Sequence, residues 1–507
     1  MFFIKKVVSS YNSIRLKGIE RFMKHPEETQ LSQFRHLIKQ GKNTSWGKEF
    51  DYSSIKTFSE YQQRVPLMNY EKFTPYIIRL RQGEKNLLWP GEIKWFAKSS
   101  GTTNSKSKFI PISKESLVNC HFKGGHDVFA IYNNRFPNTK LYSGRTLTLG
   151  GSHKINNFNI KHRTFYGDLS AILIENLPIW TNFYRTPRRK IALMSEWEQK
   201  MNLITQTAIR KNVTALMGVP SWFLALLRHI LNQTGKKNLL EIWPNLELFI
   251  HGGVSFKPYR SQYKDLIPTE NMHYMETYNA SEGFFGIQDD FATKDMLLML
   301  DYGIFYEFLP LSAVHSENPK TLSISEVEEG IDYAIIISTN GGLWRYMIGD
   351  TIRFTSLNPY KIIISGRTRH YINAFGEELI IDNAEIALEK ACLETGAVIK
   401  EYTAAPIYMT IKEKGAHQWL IEFEKEPKIM AKFTKILDEA LKEQNSDYEA
   451  KRYKCITLDL PIVVPARQNL FFEWLKKRNK LGGQNKIPRL ANERDFMEEL
   501  LILNEKL

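Results

Sequence analysis

The sequence predicts an α/β fold, with a large N-terminal domain of mixed sheets and helices ahead of a small, mobile α+β domain. Three observations carry this. Short apolar runs alternate with helix-length segments between about residues 93 and 290, as parallel or mixed sheets require. The chain turns strand-rich between about 290 and 365, and a second mixture of helices and strands begins near 370. Between those textures lies Gly366-Arg367-Thr368-Arg369, a glycine followed by charged residues. The expected domains are therefore 1–366 and 367–507.

Residues 1–90 read mostly as helix, because Ile14, Ile19, Phe22 and Met23, then Phe34 and Ile38, recur at helical spacing. Pro66 and Pro75 read as the punctuation ending that region. Strands are expected at 93–98 and 109–112, with a polar loop between them. Helices follow at 114–130 and 192–210, and the Gly- and Asn-rich stretch between them has no clear pattern. The run 213–220 reads as a buried strand, Ser221 as the cap of an apolar helix to 231, and 246–251 as a strand ending at Gly252-Gly253. Further strands are expected at 296–300, 304–308, 333–338, 351–354 and 361–365. The last region reads as helix 381–392, strands 402–412 and 417–424, helix 428–444 and strand 455–463.

The 507 residues include 69 Lys plus Arg against 55 Asp plus Glu, a formal charge of +14. A hydrophobic fraction of 43% with 24% charged residues excludes wholesale disorder and fibrous architecture. Cys120, Cys392 and Cys455 form neither a disulfide framework nor a CxxC zinc site, which suits a reducing compartment. Two lysines interrupt the early apolar stretch, and no run approaches the ~18 residues of a spanning helix. The expectation is a cytoplasmic protein without membrane insertion. The basic residues are scattered, with short clusters at 188–190 and 476–478 that read as solubilising surface. Nucleic-acid binding is therefore not expected.

Six segments carry chemistry. In Ser99-Ser100-Gly101-Thr102-Thr103-Asn104-Ser105-Lys106-Ser107-Lys108, glycine and small hydroxyl residues can point N–H groups and hydroxyls into one concavity, which suits phosphate. It is not a GxxxxGK[ST] loop, and a plain polar hairpin is the alternative. Gly252 and Gly253 would let a planar ligand lie against the backbone, or form an ordinary turn. Tyr278 offers a stacking face, and Glu282 beside a phosphate suits Mg²⁺, although a solvated acid is the simpler reading of that residue alone. Asp350, at a strand end, can accept both hydroxyls of a ribose. Arg367 can add a ribose or phosphate contact, and Lys486 sits in a glycine-rich loop beside Pro488. No Ser/His/Asp or Cys/His set is evident, and the spacing of His121, His126, His153 and His162 fits no metal motif.

The order of these segments is more informative than any one of them. With Ser-Ser-Gly-Thr-Thr, Tyr-Asn-Ala-Ser-Glu and Arg-Tyr-Met-Ile-Gly-Asp in succession, the chain resembles the acyl-acid amido synthetases of the auxin-responsive promoter (Gretchen Hagen) family, within the adenylate-forming superfamily, from about residue 20 to 495. The resemblance implies the adenylate-forming fold and an AMP-forming ligase. Such an enzyme uses ATP and Mg²⁺ to activate a small carboxylic acid and passes the acyl group to an amine, typically an amino acid's. It implies that Ser99, Ser100, Gly101, Thr102 and Thr103 hold phosphates and that Gly252 and Gly253 lie by the adenine or acyl group. It further implies Tyr278 by the adenine, Glu282 by the phosphates and Mg²⁺, Asp350 on the ribose, Arg367 at the hinge and Lys486 as the mobile catalytic lysine. Lys106, Lys108, Arg345, Arg367 and Lys486 would then meet ATP and a carboxylate. Asn104-Ser105 departs from the second glycine common in that loop, and Thr368 from an acidic hinge residue. Phe122, Phe129, Tyr166 and Trp222 are candidate acyl-pocket liners, though aromatic residues there are more often core. A thiol acceptor such as coenzyme A, or a non-catalytic nucleotide binder, is the alternative.

Overall fold

The computed structural model describes the chain apart from residues 1, 100–107, 151–155, 160, 162, 195, 254–255, 257–258, 315, 317–318, 368–370, 373–378, 408–414, 446–447, 450–451, 453–457, 479–486, 492–493 and 506–507. The N-terminal region is helical as expected, over Phe2–Lys24, Pro26–Gly41, Ser45–Glu49, Phe58–Arg64 and Tyr70–Arg81. Side chains at the starts of the later helices define them. Thr44 and Asn69 accept N–H groups of the first turn, and Thr57 forms a reciprocal capping box with Glu60. Ile19 and Phe22 are buried, whereas Ile14 is exposed. Pro75 does not end a helix, as the sequence had suggested, but lies inside Tyr70–Arg81. An interior proline costs about 3 kcal/mol. Burial of Phe73, Ile77 and Leu80 on the same helix, at about 1.5–3 kcal/mol each, exceeds that cost.

In chain order the first strands are β1 (Trp95–Ser99), β2 (Lys108–Ile112), β3 (Arg145–Thr148), β4 (Asn156–Asn159), β5 (Thr164–Gly167), β6 (Arg185–Thr186) and β7 (Val213–Gly218). There follow β8 (Leu248–Gly252), β9 (His273–Ala280), β10 (Gly283–Ile287), β11 (Met296–Leu298), β12 (Ile304–Pro310), β13 (Asp332–Thr339), β14 (Tyr346–Leu357) and β15 (Tyr360–Arg367). Eleven of them form one mixed sheet in the order β12-β13-β14-β15-β11-β10-β9-β8-β7-β3-β6, and a four-stranded sheet runs β2-β1-β5-β4. The members from β9 to β6 are mutually parallel, and the rest of the large sheet is antiparallel. Helix Pro220–Thr234 starts at Pro220 with Val219 as its cap residue, two positions before the expected Ser221 cap, because proline's fixed φ suits a first turn. The expected helix over 192–210 is interrupted. It becomes Arg189–Ala192 and Trp197–Ala208, the latter capped by the Glu196 carboxylate.

After Arg367 come a ribbon of β16 (Tyr371–Ile372) and β17 (Leu379–Ile380), then a three-stranded sheet of β18 (Val398–Ile407), β19 (Ala416–Lys425) and β20 (Ile462–Ala466). Helices Ile381–Thr395 and Met430–Gln444 share a core with this sheet that includes Trp419 and Phe433. The strand expected at 455–463 is observed as Ile462–Ala466, and residues 453–457 lie outside the described residues. Among the described residues no helix is long and apolar enough to cross a membrane.

Candidate active site

The chain runs from β3 outward to the edge strand β6, then returns past β3 to β7. Such a reversal in a parallel sheet leaves a crevice beyond the carboxyl ends of the strands, and ligands bind there. A cavity of about 3600 Å³ occupies that position, lined by Thr148, Gly218, Gly252, Asn279 and other strand-end residues.

Gly252 ends β8, where a Cβ would come within 2.3 Å of the Thr277 carbonyl oxygen, so only glycine fits this register. Gly253 follows with φ +81°, in the left-handed region. The two strands carrying Tyr278 and Asp350 stand four steps apart in the sheet, which is about 19 Å on a flat surface at ~4.8 Å per step. Even so, the Tyr278 hydroxyl donates to Asp350 Oδ2 at 2.8 Å. Strong curling of the antiparallel half is what closes that gap, and it brings β9 and β14 together across a trough. Both residues are nearly fully buried and both line the cavity. Glu282, in the tight turn between β9 and β10, lines it too. The second and third predicted segments therefore converge with the glycine pair.

Ser99 is the last residue of β1 and stands opposite Lys108 of β2, so the serine- and threonine-rich loop spans an antiparallel hairpin. Ser100, Gly101, Thr102, Thr103 and Lys106, with the Ser99 side chain, lie outside the described residues. Lys108 lines the cavity. Arg367 ends β15 directly opposite Asp350, with its side chain outside the described residues. Lys486 and Thr368 also lie outside them, but Ile487, Pro488 and Arg489, just after Lys486, line the cavity. Arg489 pairs with Glu401 and reaches the Tyr259 hydroxyl at 3.3 Å.

Arg345 corrects an expectation. Its side chain is buried away from the cavity, against Glu307 (2.9 Å), the Gln62 and Val65 carbonyls (2.9 and 2.7 Å) and the Thr321 hydroxyl (2.9 Å). All its nitrogens are used, so it ties the N-terminal helices to the sheet and turns no donor toward the cavity.

Phe122 and Phe129 line the cavity as expected for an acyl pocket. Tyr166 instead stacks on Phe158 at 4.2 Å, and the Trp222 side chain lies outside the described residues. His121 is buried, and desolvation pushes it down to about 4, so it is a neutral wall residue. His126 lies 3.5 Å from Asp127, while His153 and His162 are outside the described residues. His251 stacks on Phe256 at 4.3 Å, and burial followed by the Arg260 charge pushes it down to about 3. Among the described residues no group of three or more His, Cys, Asp or Glu is arranged to hold a metal.

The sequence reading missed the wall built by the stretch it left unassigned. The threonines of β3 and Arg185 of β6 belong to it, and Val118, Asn119, His121 and Phe122 join it from a π-helical turn inside the helix expected at 114–130. Lys200, also unremarked, is buried and donates to the Gly150 carbonyl at 3.1 Å, fixing the chain as it leaves β3. Buried lysines and arginines at these positions are the exception among surface-type residues, and no spacing rule marks them.

Models of the GH3 family match the chain as its N-terminal domain (residues 15–272), central domain (297–367) and C-terminal domain (382–495). The chain is 22% identical to the indole-3-acetic acid-amido synthetase GH3.3 of Arabidopsis thaliana over 565 residues, covering 96% of this chain and 93% of that protein. It is 23% identical to GH3.4 of the same plant over 563 residues, covering 96% and 92%. Its fold is similar to that of the GH3.15 acyl acid amido synthetase, with a TM-score of 0.81 at 16% identity over 97% of this chain and 95% of the other. A 2-hydroxyisobutyryl-CoA ligase in its postadenylation state matches with a TM-score of 0.59 at 11% identity, covering 94% and 92%. Motif order, the cavity at the strand ends and these matches agree: the chain belongs to the GH3 family.

Proposed function

We propose that the protein is an AMP-forming acyl-acid amido synthetase. It would activate a small carboxylic acid with ATP and transfer the acyl group to an amine, with an amino acid as the acceptor class. The observation that carries this is the Tyr278–Asp350 pair beside the glycines of β8, inside the cavity at the parallel strand ends. A carboxylate held by a tyrosine hydroxyl is oriented to receive ribose hydroxyls. The glycines leave room for a flat base, and the loop at 99–108 would cradle the phosphates.

A carboxylate is a poor acyl donor because its leaving group would be oxide. Transfer to the α-phosphorus of ATP forms a C(=O)O–P bond, breaks the P–O bond to pyrophosphate and leaves AMP as the later leaving group. The two reactants are both anionic, so the site must offset converging charge. Lys486 is placed by this reading on a mobile domain of residues 367–507, reaching the reacting carboxylate over a large domain of 1–366. Closure would exclude water from the mixed anhydride. Mg²⁺ would be held by Glu282 together with phosphate oxygens and waters. A single carboxylate in a cavity wall suits this ion, which retains water ligands and needs no protein cage. When bound, the ion neutralises phosphate charge. Tyr278 and Asp350 fix the nucleoside, and the amine then attacks the acyl carbon, releasing AMP and a proton.

The test is acid-dependent exchange of pyrophosphate into ATP across a broad carboxylic acid panel, followed by acceptor competition. Acid-dependent exchange with amide formation from amino acids is the expected result. Exchange with thioester formation from coenzyme A alone would move the protein to the ligase alternative. Absence of exchange with every acid, under conditions where ATP binds, would leave a nucleotide-binding protein without turnover.

A further inference from the structure

We propose that Arg185 anchors a second carboxylate at the sheet-edge end of the cavity, one carried by a substrate away from the carboxyl that is activated. Arg185 lies on the two-residue strand β6, is only 6% exposed and lines the cavity. Its register partner on β3 is Thr146, which lines the same cavity. One guanidinium nitrogen, Nη2, donates to Asn182 Oδ1 at 3.1 Å. Among the described residues the buried Nε and Nη1 meet no acceptor.

Among the described residues its surroundings supply no countercharge. Arg189 is the charged neighbour that acts on it, and Arg189 is itself occupied by Glu175, with Nε to Oε2 at 2.9 Å. Arg145 donates to the Asn182 and Arg185 carbonyls at 3.4 Å each, so it adds positive charge rather than removing it. A guanidinium does not deprotonate in a protein, so burial cannot be relieved by neutralisation. A buried cation without partner is strongly unfavourable, and a ligand that brings an anion removes the deficit. Nη2 carries a second N–H that Asn182 does not use, and with whichever open nitrogen it faces it forms a planar fork that matches a carboxylate's two oxygens. The wall of the same cavity includes the apolar Leu173, Leu177 and Pro178, which suits a small ligand of single charge better than a phosphate.

This rests on the amido synthetase reading, in which a second carboxylate has two sources. It is the α-carboxylate of an amino acid acceptor, or the remote carboxyl of a dicarboxylic acyl substrate. The test compares the full-length protein with Arg185→Gln and Arg185→Lys on matched pairs. Amide formation is measured with glycine and with glycinamide, and pyrophosphate exchange with succinate and with butyrate. A loss in kcat/KM for Arg185→Gln about 30-fold greater with glycine than with glycinamide assigns the anchor to the acceptor. The same differential for succinate over butyrate assigns it to the acyl acid. Arg185→Lys, which keeps the charge without the fork, should fall between. Equal losses within both pairs overturn the proposal. If the wild type exchanges pyrophosphate with no acid, the functional reading fails separately. Arg185 is then judged by binding: a rise in Tm with glycine or succinate that Arg185→Gln abolishes supports it, and identical shifts in both proteins refute it.

Discussion

Two arginines are buried almost equally in this protein and solve the problem of burial in opposite ways. Arg345 has an acceptor at every nitrogen, the Glu307 carboxylate among them, and lies away from the cavity. Among the described residues Arg185 has one neutral acceptor and two unpaired nitrogens, and it has a place in the cavity wall. The first is a finished structural device. The second has donors left over, and leftover donors in a cavity mark where a ligand completes the electrostatics. His121 shows a third solution, because a buried imidazole simply sheds its proton.

The sharpest way to break the contrast is Glu307→Ala. It leaves Arg345 buried without its countercharge, and the expected loss is about 3–5 kcal/mol in urea unfolding. A loss below 1 kcal/mol would mean that a buried arginine is tolerated here without its carboxylate, and Arg185 would then signify little. Next in size is the acid limb of the stability curve. His121 is neutral in the fold down to about pH 4, whereas the unfolded chain takes up that proton near the ordinary imidazole value of 6.5. The unfolded state therefore binds more protons between these values, and stability falls as pH drops through them. His121→Leu should flatten that limb by up to about 3 kcal/mol at pH 4, and parallel urea midpoints for the two proteins would refute it.

At the nucleotide end, Asp350→Ala should weaken ATP binding by roughly 10- to 150-fold, the worth of hydrogen bonds to a charged group. Calorimetry showing unchanged affinity would remove Asp350 from the site. Tyr278→Phe deletes only the donor to Asp350 and should cost about 1 kcal/mol, or three- to tenfold in affinity. A larger loss than that of Asp350→Ala would mean the tyrosine, not the carboxylate, makes the principal contact.

What could be read in advance follows from what each signal depends on. The N-terminal helices, the buried strand over Val213–Gly218 and the glycines of β8 depend on local pattern, and they were legible. Pro75 was misread because its cost was weighed without the apolar face of its helix. Motif order singled out Tyr278 and Asp350, but their meeting depends on the curl of a sheet across 72 residues of sequence separation. Arg345 sits next to that motif and was assigned to the site by adjacency, yet its φ of +43° and its partners from residues 62, 65, 307 and 321 take it elsewhere. Arg185 could not be found, because a missing partner leaves no trace in sequence.

The contacts of Arg489 with Tyr259 and of Arg228 with Glu424, at 3.3 and 2.5 Å, tie the C-terminal sheet region to the helices that flank the parallel strands. Both are polar, and each group finds water as a ready substitute once parted. Parting these two contacts would cost little in solvation. If residues 367–507 move as the proposed mechanism has it, contacts of this kind could be undone and remade on every cycle without inviting aggregation.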